Sequence, residues 1–228
     1  MIPIKDELPS RRFPLVNYLL ITLNILVYIW MASQGSQDNL IIYKYALIPN
    51  EIMRSGLSLA NIFRVFASMF MHGGLLHIGG NMLYLWIFGD NVEDAMGHVP
   101  FLVFYLAGGM AATVAQVIAD PYSQIPMLGA SGAIAAVLGA YLVLFPRGRV
   151  LTLITLGFFI RLTMVPAVVV LGLWFVLQLF SGVLSLGAVS AGGVAFFAHI
   201  GGFVFGLLLG KLIARNATYY DMTNFRGF

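Results

Sequence analysis

The chain has 228 residues, of which 60% are hydrophobic and only 9% are charged, and its mean hydropathy is +0.92. A soluble globular domain carries about a quarter charged residues, so the composition excludes that class and predicts a multi-pass membrane protein. The net charge of +3 reports orientation in the lipid bilayer, and we expect no nucleic-acid partner. The absence of cysteine excludes disulfides and thiol catalysis.

The first predicted span, at about residues 15–32, follows Lys5, Arg11 and Arg12. This apolar run is longer than the core of a signal peptide and no clear small-residue cleavage site follows it, so we expect an uncleaved helix. Residues 33–70 then mix charged residues and proline with large apolar side chains. That composition favours a structured segment lying in the membrane interface, with a plain surface loop as the alternative.

Five further apolar stretches follow, separated by proline, glycine and charged residues. They lie at about residues 72–88, 99–119, 131–145, 165–183 and 196–214. A polar patch from Gly89 to His98 is expected to end the second span, and residues 150–161 are expected to form an interfacial stretch. A Gly- and Ser-rich loop is predicted at residues 182–193, and a polar tail follows the last span. The sequence therefore predicts an all-α membrane protein, a bundle of six transmembrane helices forming one domain over residues 1–228.

The distribution of lysine and arginine predicts the orientation of these spans. If the N-terminus is cytoplasmic, nine of the twelve basic residues fall on that side: Lys5, Arg11, Arg12, Arg147, Arg149, Arg161, Lys211, Arg215 and Arg226. Only Lys44, Arg54 and Arg64 fall outside. The positive-inside rule then predicts a multi-pass protein of a cell membrane with both termini cytoplasmic.

This topology brings three polar side chains to one membrane depth. Spans two, four and six enter from the outer face, and their first turns carry His77, Ser131 and His199. Span four offers a length of about 22 Å before Pro146, whereas the hydrocarbon core is about 30 Å thick. Ser131 is therefore expected below the outer surface, in a cavity that is open to water on that side.

The residue types in this predicted cavity point to nucleophilic catalysis. A serine hydroxyl needs a base to accept its proton, and His199 could serve Ser131 in that role. No carboxylate is placed at the right depth to orient the base, so the sequence predicts a dyad. His77 and Asn81, one helical turn apart, could donate hydrogen bonds to an oxyanion, and Gly129 would let the backbone approach a substrate closely.

Other interpretations of the same residues remain open. His72 and Asn81 could simply bridge helices by hydrogen bonds, and Ser131 could be a small packing residue. A zinc site formed by His72, His77 and His199 is disfavoured because His-x4-His is not the usual i, i+4 spacing and no carboxylate supports it. A solute transporter would show paired repeats or broken helices, and none are visible. We expect no cofactor and no metal.

The motifs resemble those of the rhomboid intramembrane serine proteases. They are His72-x4-His77-x3-Asn81 in span two, Gly129-Ala130-Ser131-Gly132 opening span four, and Ala198-His199-Ile200-Gly201-Gly202 with Gly206 in span six. The resemblance implies Ser131 as nucleophile, His199 as base, and His77 and Asn81 as oxyanion or water-positioning groups. It also implies substrates with a single transmembrane segment, cut near its outer end, and lateral substrate access near span five, which carries Trp174 and Phe175.

Two positions differ from a common pattern of that family. Phe63-Arg64 stands where many members have Trp-Arg, so Arg64 is expected to keep a structural role. Ala135 stands where many members have a tyrosine that stacks on the base, which leaves open what orients His199. The alternative function is a catalytically inactive rhomboid-like protein that binds membrane clients. The presence of both Ser131 and His199 argues against it.

Overall fold

The computed structural model describes residues 1–35, 38–156, 159–185 and 195–216. Within these ranges nine helices and three strands follow one another in the chain. They are β1 (Ile2–Asp6), α1 (Leu15–Ser33), α2 (Asp38–Tyr45), α3 (Pro49–Ser55), α4 (Leu59–Ser68), α5 (Leu75–Met96), α6 (His98–Ala119), α7 (Ser131–Leu144), β2 (Arg149–Leu156), β3 (Phe159–Pro166), α8 (Ala167–Ser185) and α9 (Phe196–Asn216).

The chain is mostly helical, as the sequence predicts, and three strands that the sequence did not predict form a small antiparallel sheet in the order β1-β2-β3. The predicted interfacial stretch at residues 150–161 lies within β2 and β3, which pair in continuous register from Arg149 opposite Pro166 to Leu156 opposite Phe159. Both strands are rich in Val, Ile, Leu and Thr, residue types that fit a pleated, half-buried surface.

The long helices follow the predicted spans closely, and three of those described, α1, α6 and α8, are long and apolar enough to cross a membrane. Three shorter apolar stretches, α4, α7 and Phe196–Gly210 of α9, stand beside them, and the count of six spans stays a prediction. Residues 33–70 include α2, α3 and α4, so the segment is structured; its position in the membrane interface stays a prediction. The predicted loop at 182–193 begins inside α8; its residues 186–193, and the tail from residue 217, lie outside the described residues.

Helix α5 continues eight residues beyond its predicted end at residue 88, because the polar patch is folded against the N-terminal segment. The Glu93 side chain is only 1% exposed, and its two oxygens accept hydrogen bonds from the backbone N–H groups of Val16 and Asn17 at the start of α1. A carboxylate is stabilised there by the positive end of the helix dipole. His98, the first residue of α6, contacts the Glu93 carboxylate through Nδ1 of its imidazole.

Strand β1 is fastened to the bundle through Asp6. Its carboxylate oxygen Oδ2 accepts hydrogen bonds from Asn91 of α5 at 3.0 Å and from the Tyr141 hydroxyl of α7 at 2.9 Å. Burial raises the pKa of Asp6 to about 7, against the lowering effect of the hydrogen bond from Tyr141. The N-terminal strand thus ties two helices together at the end of α7 that is opposite Ser131.

Helices α7 and α9 pack with their backbones in direct contact. Residues 132–141 of α7 are all buried. A Cβ atom added at Gly202 would overlap the carbonyl oxygen of Gly132, and one at Gly206 would overlap that of Ala136. Small residues permit this approach, and close packing replaces the hydrophobic effect as the force that joins helices in a bilayer. The contact also brings the first turns of the two helices together.

Candidate active site

The loop that precedes α7 is held by the segment of short helices. The Met127 N–H donates to the Leu47 carbonyl at 2.7 Å, and the Gly129 N–H donates to the Ser68 carbonyl at 2.9 Å. These backbone bonds fix the approach of the chain to Ser131, which is the first residue of α7.

Two features of the structure require a glycine at position 129. Its φ of +125° lies in a region that residues with a side chain rarely adopt. A Cβ at this position would also lie 2.7 Å from Nε2 of His77. The glycine therefore allows the His77 imidazole to rest against the backbone two residues before Ser131.

Ser131 and His199 meet across the contact between α7 and α9. The Ser131 hydroxyl oxygen lies 2.7 Å from Nε2 of the His199 imidazole, which is hydrogen-bonding distance. The two residues are 68 positions apart in the chain, and each stands in the first turn of its helix. A hydroxyl in this position can pass its proton to the imidazole when it attacks an electrophile.

The other nitrogen of the His199 imidazole contacts helix α8. Its Nδ1 lies 2.8 Å from the side-chain oxygen Oε1 of Gln178, and the Trp174 ring lies beside the imidazole with its centroid 5.9 Å away. The sequence alone leaves open which group orients His199, and these two residues of α8 contact its imidazole. Ala135, which replaces the tyrosine of many family members, is fully buried where Gly202 of α9 packs.

His72, His77 and Asn81 form a second polar group beside Ser131. The His72 and His77 rings are 5.0 Å apart in an edge-to-face arrangement. The amide nitrogen Nδ2 of Asn81 lies 2.9 Å from Nε2 of His72, and His72 is only 1% exposed. His72 thus connects the loop before α5 to Asn81 and fixes the direction of the Asn81 amide.

Gln116 of α6 supports the start of α9. Its Oε1 accepts a hydrogen bond from the backbone N–H of Ala198 at 3.2 Å, one residue before His199. No sequence motif marks Gln116 or Gln178 as a site residue. Each is a lone amide in a largely apolar helix, and that rarity was the available signal, because a polar side chain within the membrane needs a partner.

These side chains line a cavity of about 970 Å³. It reaches from the loop before α7 past Ser131 to Leu138, which lies two turns further along the helix. Its walls include His77, Asn81 and Tyr84 of α5, Gln116 of α6, Ser131, Ile134 and Leu138 of α7, Trp174 of α8 and His199 of α9. The same cavity is therefore lined by four of the predicted site residues, His77, Asn81, Ser131 and His199. Among the described residues, no group of three His, Cys, Asp or Glu is placed to hold a metal ion.

Arg64 lies outside this cavity and contacts the segment of short helices. Its Nε donates to the Lys44 carbonyl at 3.1 Å, and its guanidinium forms an ion pair with Glu51. Arg64 thereby links α2, α3 and α4, the segment whose Leu47 and Ser68 hold the loop before Ser131.

Comparison with known proteins identifies the family of the chain. A family model described as the Rhomboid domain matches residues 59–216, which is more than half of the chain. The chain belongs to the rhomboid family. This rhomboid is 32% identical over 145 residues to the Rhomboid protease GluP of Bacillus subtilis (strain 168), an alignment that covers 63% of the chain and 27% of the relative.

Two further relatives carry mitochondrial names. Rhomboid protein 1, mitochondrial, of Saccharomyces cerevisiae is 27% identical over 204 residues, covering 87% of this rhomboid and 53% of the relative. Presenilin-associated rhomboid-like protein, mitochondrial, of Bos taurus is 38% identical over 86 residues, covering 36% and 22%. This rhomboid thus spans between about a fifth and about half of the length of these relatives. The family is embedded in membranes and includes both serine proteases and catalytically inactive members.

Proposed function

We propose that this rhomboid is an intramembrane serine endopeptidase, organised as one membrane domain over residues 1–228, that cleaves membrane proteins with a Ser131–His199 dyad. The observation that carries the proposal is the 2.7 Å contact between the Ser131 hydroxyl and the His199 imidazole at the wall of a large cavity. A histidine within a membrane-spanning segment is costly and is usually functional.

In the proposed reaction, Nε2 of His199 takes the hydroxyl proton of Ser131 as the oxygen attacks the carbonyl carbon of the scissile peptide bond. The resulting tetrahedral intermediate collapses when the C–N bond breaks, and the imidazolium gives its proton to the leaving amine. Water then enters the cavity and gives a proton to the same imidazole as its oxygen attacks the carbonyl carbon of the acyl ester. The C–O bond to Ser131 breaks, and the imidazolium returns its proton to the serine oxygen. Proton and leaving group are both accounted for without a cofactor.

The negative oxygen of the tetrahedral intermediate needs hydrogen-bond donors. Asn81 carries two N–H groups, of which one points to His72 and the other is available to the cavity. His77 lies against Gly129 on the same wall, and the backbone N–H of Ser131 stands at the positive end of the α7 dipole. We assign these three donors to the oxyanion.

Replacing Asn81 by alanine should reduce kcat by about 10²- to 10³-fold, because the loss of one oxyanion donor typically costs that much. The Asn39→Ala variant is the matched control, since Asn39 is an exposed residue of α2. Turnover is measured in proteoliposomes, and the unfolding midpoint is measured alongside. An Asn81→Ala variant with unchanged kcat would reduce Asn81 to a packing residue.

The proposed substrates are proteins with a single transmembrane segment, cut near the outer end of that segment. We also propose a location in a cell membrane with six spans and both termini cytoplasmic. The excess of basic residues on the predicted cytoplasmic side supports this orientation. The cavity then opens to the outer face, from which the hydrolytic water comes.

A cleavage assay tests the proposed function directly. The purified protein and a protein with a single transmembrane segment are reconstituted in liposomes, and cleavage and binding are both measured. The account predicts that the wild type cleaves, whereas Ser131→Ala binds the substrate without cleaving it. Equal cleavage by both proteins would contradict the assignment of the nucleophile. Binding without cleavage by the wild type would instead favour the inactive client-binding alternative.

A further inference from the structure

A catalytic histidine must present the correct nitrogen to its serine. A neutral imidazole carries one proton, on either Nδ1 or Nε2, and only the form with the proton on Nδ1 leaves Nε2 free to accept the serine proton. In serine proteases of the triad type a carboxylate selects that form. In the described part of this chain no carboxylate lies at the His199 imidazole, and the group at its Nδ1 is an amide.

We propose that Gln178 is the positioning residue of the active site, which selects the protonation form of His199 that can act as a base. Its Oε1 lies 2.8 Å from Nδ1 of His199, while Nε2 of the same ring lies 2.7 Å from the Ser131 hydroxyl. An amide oxygen can accept a hydrogen bond but cannot donate one, so Nδ1 carries the hydrogen and Nε2 is left as the acceptor. The inference rests on the proposed function of the Ser131–His199 pair.

Helix α8 holds Gln178 at a fixed height beside His199. Gln178 stands one turn after Trp174 on the side of α8 that faces α9. On one side of it Phe175 stacks on Phe203 with ring centroids 4.5 Å apart. On the other, a Cβ at Gly182 would lie 3.3 Å from Cβ of Phe196, so the helices nearly touch. Contacts above and below therefore keep the amide in register with the imidazole.

The same contact serves the charged state of the base. When Nε2 takes the serine proton, both ring nitrogens carry hydrogen, and Oε1 of Gln178 continues to accept from Nδ1. The Ser131 proton therefore moves to Nε2, and the hydrogen on Nδ1 stays where it is. Because the amide is neutral, it stabilises the imidazolium less than a carboxylate would. Replacing the amide by a carboxylate should therefore change the pH dependence of kcat.

Two variants separate positioning from simple packing. Gln178→Leu keeps the volume of the side chain but has no acceptor, so kcat should fall by about 10- to 100-fold with KM within about twofold of the wild type. Gln178→Glu restores an oxygen acceptor and adds a negative charge, which stabilises the imidazolium. It should recover turnover at alkaline pH and move the acid limb of the kcat profile upward by at least about one pH unit.

Among the described residues, the titratable side chains that line the cavity with His199 are His77, Tyr84 and Asp120. All three are the same in the wild type and both variants, so they do not cause a difference between them. Gln34→Leu and Gln34→Glu are the matched controls, because Gln34 follows the last residue of α1 and its side chain, among the described residues, bonds to Trp30 and Ser33 of that helix's last turn. Both should have the kcat and pH profile of the wild type.

All five proteins are assayed in proteoliposomes on a substrate with a single transmembrane segment, from about pH 5 to 9. Loss of kcat in Gln178→Leu together with recovery and a shifted acid limb in Gln178→Glu supports the proposal. Any of three results overturns it: unchanged kcat in Gln178→Leu, no recovery in Gln178→Glu at any pH, or an unshifted acid limb. If the wild type itself does not cleave, the proposed function fails before the variants are compared.

Discussion

The His199→Ala variant is expected to lose cleavage of a transmembrane substrate by at least about 10³-fold, because the Ser131 hydroxyl would then have no base. In the wild type, Nε2 of His199 lies 2.7 Å from that hydroxyl. No other imidazole is within hydrogen-bonding distance of Ser131 in the described part of the chain. The loss should fall on kcat, since the imidazole acts in the chemical step.

The control for this variant is His98→Ala. His98 is the first residue of α6 and contacts Glu93 near the end of α5 that is remote from the cavity. The His98→Ala variant should keep kcat within a few-fold of the wild type. Residual activity of His199→Ala above about a tenth of the wild-type rate would show that another group accepts the proton.

The Gly206→Ala variant is expected to lose about 3 kcal/mol or more of unfolding free energy. This is at or above the upper end of the usual destabilisation by overpacking, about 1–3 kcal/mol. The added methyl group would overlap the carbonyl oxygen and Cα of Ala136, and backbone atoms cannot move aside by changing rotamer. The helices α7 and α9 would separate, and the distance between Ser131 and His199 would grow. Activity should fall with stability.

Gly172→Ala is the same chemical change at a helical glycine of α8 where nothing lies within 4 Å of the added Cβ. It should change the unfolding free energy by less than about 1 kcal/mol. Both variants are compared with the wild type by detergent-induced unfolding in mixed micelles. Equal stabilities of the two variants would contradict the close contact of α7 with α9.

The sequence was sufficient to place most of the long helices and to gather the candidate site. Hydropathy located α1, α6, α7, α8 and α9 to within a few residues, because apolar length is what a bilayer requires. Alternating entry of the spans predicts that His77, Ser131 and His199 lie at one membrane depth. In the structure these three residues line the same cavity.

The parts that the sequence did not predict depend on contacts between distant segments. Helix α5 continues through its polar patch because Glu93 bonds the start of α1, 77 positions earlier. The sequence did not predict strands β2 and β3, because their apolar residues hide the alternation that is typical of a strand. Gln178 carries no motif, and only its position opposite His199, 21 residues later, gives it a role.

Covalent labelling of Ser131 tests the central claim most directly. An alkyl fluorophosphonate is incubated with the reconstituted protein, and the modified residue is located by mass spectrometry of its peptides. An activated serine attacks phosphorus and displaces fluoride, so the account predicts one adduct, on Ser131, that forms at least about 10²-fold more slowly in His199→Ala. An adduct on a different serine, or substrate cleavage that continues with Ser131 fully modified, would contradict it.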